Sequence, residues 1–109
     1  WSANIGVISL STIKLSDAEV LQKLADLNAD TRRSWQLVDG KLKKQFEFGS
    51  FILAFAFMTK VAMLAETLNH HPEWSNVYGR VVIELITHEI NAISERDFIL
   101  ALRIEAMAV

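Results

Sequence analysis

The sequence contains no cysteine, one proline and four glycines among its 109 residues. Without cysteine the chain can form neither a disulfide framework nor a thiolate zinc site, and it has no cysteine nucleophile. It also has no glycine-rich phosphate loop, nucleophile elbow or paired-carboxylate motif. Basic residues are few, and the net charge of −2 argues against nucleic-acid binding, because neutralising phosphates needs a basic surface.

Apolar residues, by contrast, make up 51% of the chain. The length fits one domain, and we expect residues 1–109 to form it, with residues 1–14 as an extended arm. A small domain has too little interior for so much apolar surface, so we expect a homo-oligomer. The most apolar stretch, residues 51–65, is shorter than the roughly 20 residues needed to cross a bilayer. The N-terminus lacks the features of a signal peptide, so we expect no membrane partner and a cytoplasmic location.

Hydrophobic spacing, helix caps and turn residues predict the order α-β-β-α-β-β-α. Capping boxes at Ser16 and Ser94 begin the first and last helices. Asp39-Gly40 suits a two-residue hairpin turn. Two hairpins joined by a helix indicate an α+β fold, in which three helices pack on one face of a four-stranded antiparallel sheet. The predicted elements are helices over 17–28, 51–68 and after residue 94, and strands over 35–38, 42–48, 74–78 and 80–88.

The second helix, residues 51–68, is apolar around nearly its whole circumference. Phe51 and Phe55 lie on one stripe, and Phe57 and Val61 lie on the next. A helix of this kind must be buried on more than one side. The second side is most simply another copy of the chain. The alternative is a partner protein that docks its own helix there.

All three histidines, His70, His71 and His88, lie within 19 positions of one another. Imidazoles titrate near neutral pH and are therefore suited to proton transfer. Glu66 precedes His70 by one helical turn, so we expect its carboxylate to orient that ring. One alternative is a polar loop without a site. Another is a zinc site of Glu66, His70 and His88, although no further ligand cluster supports it.

Four other features have structural interpretations. Asp97 follows Ser94 by three residues and is typical of a helix cap. Trp35 and Trp74 are core candidates, although indole rings also stack on flat heterocycles. The three lysines between positions 41 and 44 are interpreted as edge-strand residues that prevent aggregation.

Several segments match one known family when taken together. The most specific are Asn69-His70-His71-Pro72-Glu73-Trp74 and Thr87-His88-Glu89. With the segments named below, they resemble the pterin-4a-carbinolamine dehydratase family over about residues 16–105. The further matching segments are Trp35, Leu37-Val38-Asp39-Gly40, Leu42, Glu47-Phe48, Ala54–Ala62, Ala65-Glu66, Asn76-Val77-Tyr78 and Ser94-Glu95-Arg96-Asp97.

The resemblance implies an enzyme that dehydrates 4a-hydroxytetrahydropterin to quinonoid dihydropterin. In that family this reaction regenerates the cofactor of aromatic amino acid hydroxylases and needs no metal or organic cofactor. Members commonly form tetramers, built from dimers through the apolar second helix. Mammalian members also serve as dimerisation cofactors of a homeodomain transcription factor, which implies a nuclear location for members with that role.

The resemblance also implies roles for individual residues. His70 and His88 match the acid/base histidines of the family, and His71 matches a histidine that contacts substrate. The family has a glycine-containing turn after Thr87-His88, where this chain has residues 89–93. Asparagine adopts a positive φ angle at modest cost, so Asn91 is compatible with such a turn. If the turn is altered, the alternative is a relative that binds pterin without catalysing its dehydration. Residues that match positions lining or supporting the pocket are Glu66, Trp35, Trp74 and Asp97.

Overall fold

Three helices and four strands follow one another in the predicted order. The computed structural model describes residues 12–30, 32 and 34–108, so most of the predicted arm, residues 1–11, lies outside the described part. Lys14 forms an antiparallel bridge with Ser94, which ties the start of the described chain to the domain. In chain order the elements are α1 (Asp17–Leu27), β1 (Gln36–Val38), β2 (Lys41–Glu47), α2 (Phe51–Leu68), β3 (Glu73–Val77), β4 (Arg80–Leu85) and α3 (Glu95–Met107).

The four strands form one antiparallel sheet in the order β1-β2-β4-β3. β2 therefore lies inside the sheet, and the prediction that its lysines lie on an edge strand is wrong. The cause is tertiary, because the second hairpin adds to the free side of β2 with β4 inward. The first hairpin turn is confirmed, since Asp39 and Gly40 have φ angles of 52° and 76°.

One hydrophobic core lies between one face of the sheet and the helices. Alternate residues of β2 and β4 point into it, as the period of two requires. The opposite face of the sheet carries the intervening, more polar positions. The buried core side chains include Leu42, Phe46, Val81, Ile83 and Leu85 from the sheet, and Leu27, Phe57, Val61, Leu64, Phe98, Leu100 and Ile104 from the helices.

α2 buries the predicted stripe that contains Phe57 and Val61. The other predicted stripe is partly exposed, with Phe51 and Phe55 46% and 54% exposed, and Ile52 and Met63, outside both stripes, are 77% and 69% exposed. With a mean hydropathy of 1.7 over 18 residues, α2 is the one helix in the described part of the chain long and apolar enough to cross a membrane. Core helices of soluble proteins pass the same test. The chain by itself therefore leaves an apolar face of α2 uncovered.

The last strand is shorter than predicted. β4 ends at Leu85 and not at position 88, because the backbone of Thr87 pairs with Ala92 and closes a turn. Asn91 adopts the positive φ angle expected of it, 48°. His88 consequently lies in a closed turn beyond the strand, at the end of the sheet where β3 begins.

Candidate functional site

The end of α2 directs His70 into the protein. Asn69 adopts a left-handed conformation, with φ 51° and ψ 44°, and caps the helix. The His70 N–H then donates to the Ala65 carbonyl at 3.0 Å. This reversal at the helix end satisfies orphan carbonyls and turns the chain inward. As a result the His70 side chain is only 6% exposed.

His70 belongs to a buried polar cluster centred on Asp97. Its Nε2 atom lies 2.6 Å from Asp97 Oδ1. Asp97 Oδ2 accepts hydrogen bonds from Thr87 Oγ1 at 2.8 Å and from the Ser94 N–H at 3.0 Å. The second of these bonds is part of the predicted capping box of α3. Asp97 is fully buried. The hydrogen bonds at the start of α3 hold its carboxylate in place, and the carboxylate in turn holds the His70 ring.

His71 has a separate, exposed carboxylate partner. Its Nε2 atom lies 2.9 Å from Glu66 Oε1. The prediction that Glu66 orients His70 is therefore wrong, because Asn69 ends the helical geometry before position 70. Both side chains are more than half exposed, so the contact stabilises the fold little.

His88 contacts a third carboxylate, that of Glu73 at the start of β3. Its Nε2 atom lies 2.7 Å from Glu73 Oε2, and Lys41 Nζ lies 2.5 Å from Glu73 Oε1. The hydrogen bonds from Lys41 and His88 hold the pKa of the Glu73 carboxyl below its usual value. The hydrogen bond to Glu73 in turn raises the pKa of Lys41.

The three imidazoles therefore share one arrangement, in which Nε2 faces a carboxylate. An ionised carboxylate only accepts hydrogen bonds, so each Nε2 carries the hydrogen. Nδ1 is left out of all three contacts. A ring held in this way can accept a proton at Nδ1 when neutral and donate one there when charged. This is the chemistry required of a general acid or base.

Arg96 joins the two segments that carry the histidines. Its Nη2 donates to the Asn69 carbonyl at 2.6 Å, and its Nη1 donates to Glu89 Oε2 at 2.8 Å. Asn69 directly precedes the first histidine pair, and Glu89 directly follows the third histidine. A hydrogen bond from its own backbone N–H, followed by that from Arg96, lowers the pKa of Glu89. The buried guanidinium therefore spans both sides of the site.

The two candidate tryptophans lie on the core side of the sheet. Trp35 is 2% exposed, packs edge-on against Phe46 and donates its indole N–H to Glu105 at 2.8 Å. Trp74 is half-buried and packs against the core from β3. A contact of either ring with substrate stays a prediction.

Sequence reasoning missed the supporting roles of Glu73, Lys41 and Arg96. Glu73 and Arg96 lie within the matched segments, next to residues that were assigned roles, so their position was the available signal. Lys41 carried no signal, because its partner lies two strands away. Within residues 12–30, 32 and 34–108, no group of three or more histidine and carboxylate side chains is arranged to hold a metal ion, and the geometry offers no support for the zinc hypothesis.

Comparisons with known proteins point to one family. The family model described as pterin 4 alpha carbinolamine dehydratase matches residues 13–107. A Solibacter usitatus protein that bears this enzyme name is 45% identical over 97 residues, which cover 89% of this chain and 97% of the relative. A relative of the same name from Prochlorococcus marinus (strain MIT 9303) is 50% identical over 90 residues, which cover 83% of this chain and 90% of the relative.

Two solved structures share the fold. The crystal structure of a transcriptional coactivator/pterin dehydratase from Brucella melitensis has a TM-score of 0.80 and 38% identity, covering 89% of this chain and 100% of that chain. A pterin dehydratase-like protein identified as a RuBisCO assembly factor in the alpha-carboxysome has a TM-score of 0.57 and 29% identity, covering 68% of this chain and 86% of its own.

Proposed function

Because the chain belongs to the pterin-4a-carbinolamine dehydratase family, we propose that it converts 4a-hydroxytetrahydropterin to quinonoid dihydropterin and water. The relatives are named as dehydratases, and a dehydratase is a hydro-lyase. The observation that carries the proposal is the set of three imidazoles, each with Nε2 on a carboxylate and Nδ1 outside that contact.

The reaction breaks the C4a–O bond and needs two proton transfers. A protonated imidazole gives its proton to the departing hydroxyl, which leaves as water, and a neutral imidazole takes a proton from a ring nitrogen. We assign these transfers to His70 and His88. General acid–base catalysis typically contributes about 10²–10⁴-fold, which suits an elimination that also proceeds slowly unaided.

The remaining predicted residues support this pair. His71, with Glu66 beside it, contacts the substrate from the exposed side of the site. Trp74 contributes to an aromatic wall, Trp35 supports the fold from the core, where it is 2% exposed, and Asp97 acts through His70. No cofactor takes part in the proposed steps. We further propose that the product feeds tetrahydrobiopterin recycling in the cytoplasm.

The decay of freshly generated 4a-hydroxytetrahydropterin, followed by ultraviolet absorbance, tests the proposal. Wild type should accelerate the decay, and His70→Ala and His88→Ala should each lower turnover at least about tenfold. Circular dichroism and urea denaturation verify that the variants are folded. A folded wild type that fails to accelerate the decay would refute the dehydratase function.

A second candidate function is protein binding through the exposed face of α2. Phe55 and Leu53 are more than half exposed there, beside Ile52 and Met63. Hydrophobic surface of this kind marks interaction sites. We propose that a second copy of this chain covers it, in a dimer or tetramer. The names of the two structural neighbours, a coactivator and an assembly factor, support a foreign partner as the alternative.

Light scattering after size-exclusion chromatography tests this surface. Wild type should elute as an oligomer, and Phe55→Glu should shift it toward monomer. Ala25→Glu, which adds the same charge at an exposed position of α1, should leave the mass unchanged. A wild type that is monomeric at every concentration would contradict self-association.

A further inference from the structure

Lys41, Glu73 and His88 form a chain of contacts across the end of the sheet. They come from three separate segments: β2, the start of β3, and the turn after β4. Both carboxylate oxygens of Glu73 are engaged, Oε1 by Lys41 at 2.5 Å and Oε2 by His88 at 2.7 Å. The carboxylate of Glu73 is therefore held at two points, one on each oxygen.

This row of contacts lies on the sheet face opposite the helices. Glu73 pairs in register with Glu84 of β4, and their side chains share that face. β4 lies between β2 and β3, so the Lys41 side chain crosses β4 to reach Glu73. The charges of Glu84 and Asp39 also act on Lys41, but its hydrogen bond is to Glu73. The contact is thus directed and not a general attraction between opposite charges.

We propose that Glu73 is a positioning residue for the dehydration, that it fixes the ring and tautomer of His88, and that Lys41 holds Glu73 in place. The inference rests on the proposed function, in which His88 moves a proton. With Nε2–H on the carboxylate, the lone pair of the neutral ring is kept at Nδ1. Lys41 binds the other carboxylate oxygen of Glu73, Oε1, and so holds the carboxylate that orients the His88 ring.

Replacing Glu73 by glutamine gives a sharp test, because the side-chain shape is retained. The amide oxygen can still accept from Lys41, so the amide NH₂ then faces Nε2 of His88. An NH₂ group only donates, and the ring must move its proton to Nδ1 to accept from it. Glu84→Gln is the matched control, since it removes a carboxylate from the same face without touching His88.

The experiment combines nitrogen-15 NMR of the histidine rings with steady-state kinetics. In Glu73→Gln, His88 should shift from the Nε2–H to the Nδ1–H tautomer, and kcat should fall about tenfold with KM changed less than about twofold. Lys41→Met should lower kcat by a smaller factor. Glu84→Gln should match wild type in both measurements.

The outcomes separate the two proposals. An active wild type whose Glu73→Gln variant keeps the His88 tautomer, or keeps kcat within about twofold, would overturn the positioning role and leave the dehydratase function standing. A folded wild type without activity would overturn the dehydratase function and the role of Glu73 in turnover. In that case the NMR shift would still show whether Glu73 sets the tautomer of His88.

Discussion

Replacing Asp97 by asparagine separates the two roles that this buried carboxylate combines. Oδ2 accepts from the Ser94 N–H and from Thr87, and Oδ1 faces His70. A backbone N–H can only donate, so the asparagine oxygen must occupy the Oδ2 position. The amide NH₂ then faces Nε2 of His70 and forces the ring proton to Nδ1. The capping hydrogen bond of α3 is therefore kept, whereas His70 is held as the Nδ1–H tautomer and not as the Nε2–H tautomer.

The magnitudes of the two effects differ enough to be measured apart. Exchanging a charge-assisted hydrogen bond for a neutral one should lower the free energy of unfolding by about 1–2 kcal/mol. Asp97→Ala removes all three bonds and leaves buried donors unpaired, so its cost should be about 3–5 kcal/mol. Turnover of Asp97→Asn should fall by about 10²–10⁴-fold, because the tautomer controls which nitrogen holds the lone pair.

Urea denaturation and the pterin-decay assay give these two quantities on the same samples. The expected pattern for Asp97→Asn is a small shift in the urea midpoint with a large loss of kcat. Histidine NMR of the same variant should show His70 as the Nδ1–H tautomer. A folded Asp97→Asn variant with wild-type turnover would refute the argument that Asp97 sets the state of His70.

Three further predictions concern stability. Lys44→Met should lower the free energy of unfolding by about 2–3 kcal/mol in urea, because the mostly buried Glu105 carboxylate loses its cation; an unchanged midpoint would contradict this. Gly79→Ala should cost about 1–3 kcal/mol, since the added Cβ would lie 2.3 Å from the Phe48 carbonyl oxygen; a thermal midpoint equal to wild type would rule out that clash. The pKa of Glu73 is lowered in the folded state, so its contribution to stability is present above the unfolded pKa of about 4.3 and is lost as pH falls through the lower folded value. Urea midpoints of wild type and Glu73→Gln should therefore converge as the pH is lowered, and a constant difference would disprove the linkage.

Features of the fold that depend on neighbouring residues could be predicted from the sequence. The capping boxes at Ser16 and Ser94 and the hairpin turn at Asp39-Gly40 each lie within a few positions, and all three are confirmed. The positive φ angle of Asn91 has the same local origin. Backbone preferences of this kind act before any tertiary contact forms.

The partners of the histidines could not be predicted in the same way. Asp97 is separated from His70 by an entire hairpin, and Lys41 is separated from Glu73 by α2. The one local pairing that was predicted, Glu66 with His70, fails because the helix ends between them. The inner position of β2 likewise depends on which side of the first hairpin the second one joins, and no local pattern encodes that choice.

The order of the strands has a consequence for how the protein acquires activity. β2 and β4 are neighbours at the centre of the sheet, yet all of α2 and β3 lies between them in the chain. Closing such a long loop slows folding relative to forming helices or local hairpins. Lys41 reaches its partner across β4, and His88 follows β4 directly. During refolding, dehydratase activity should therefore return with the slow pairing of the two central strands, after most helical signal has already recovered.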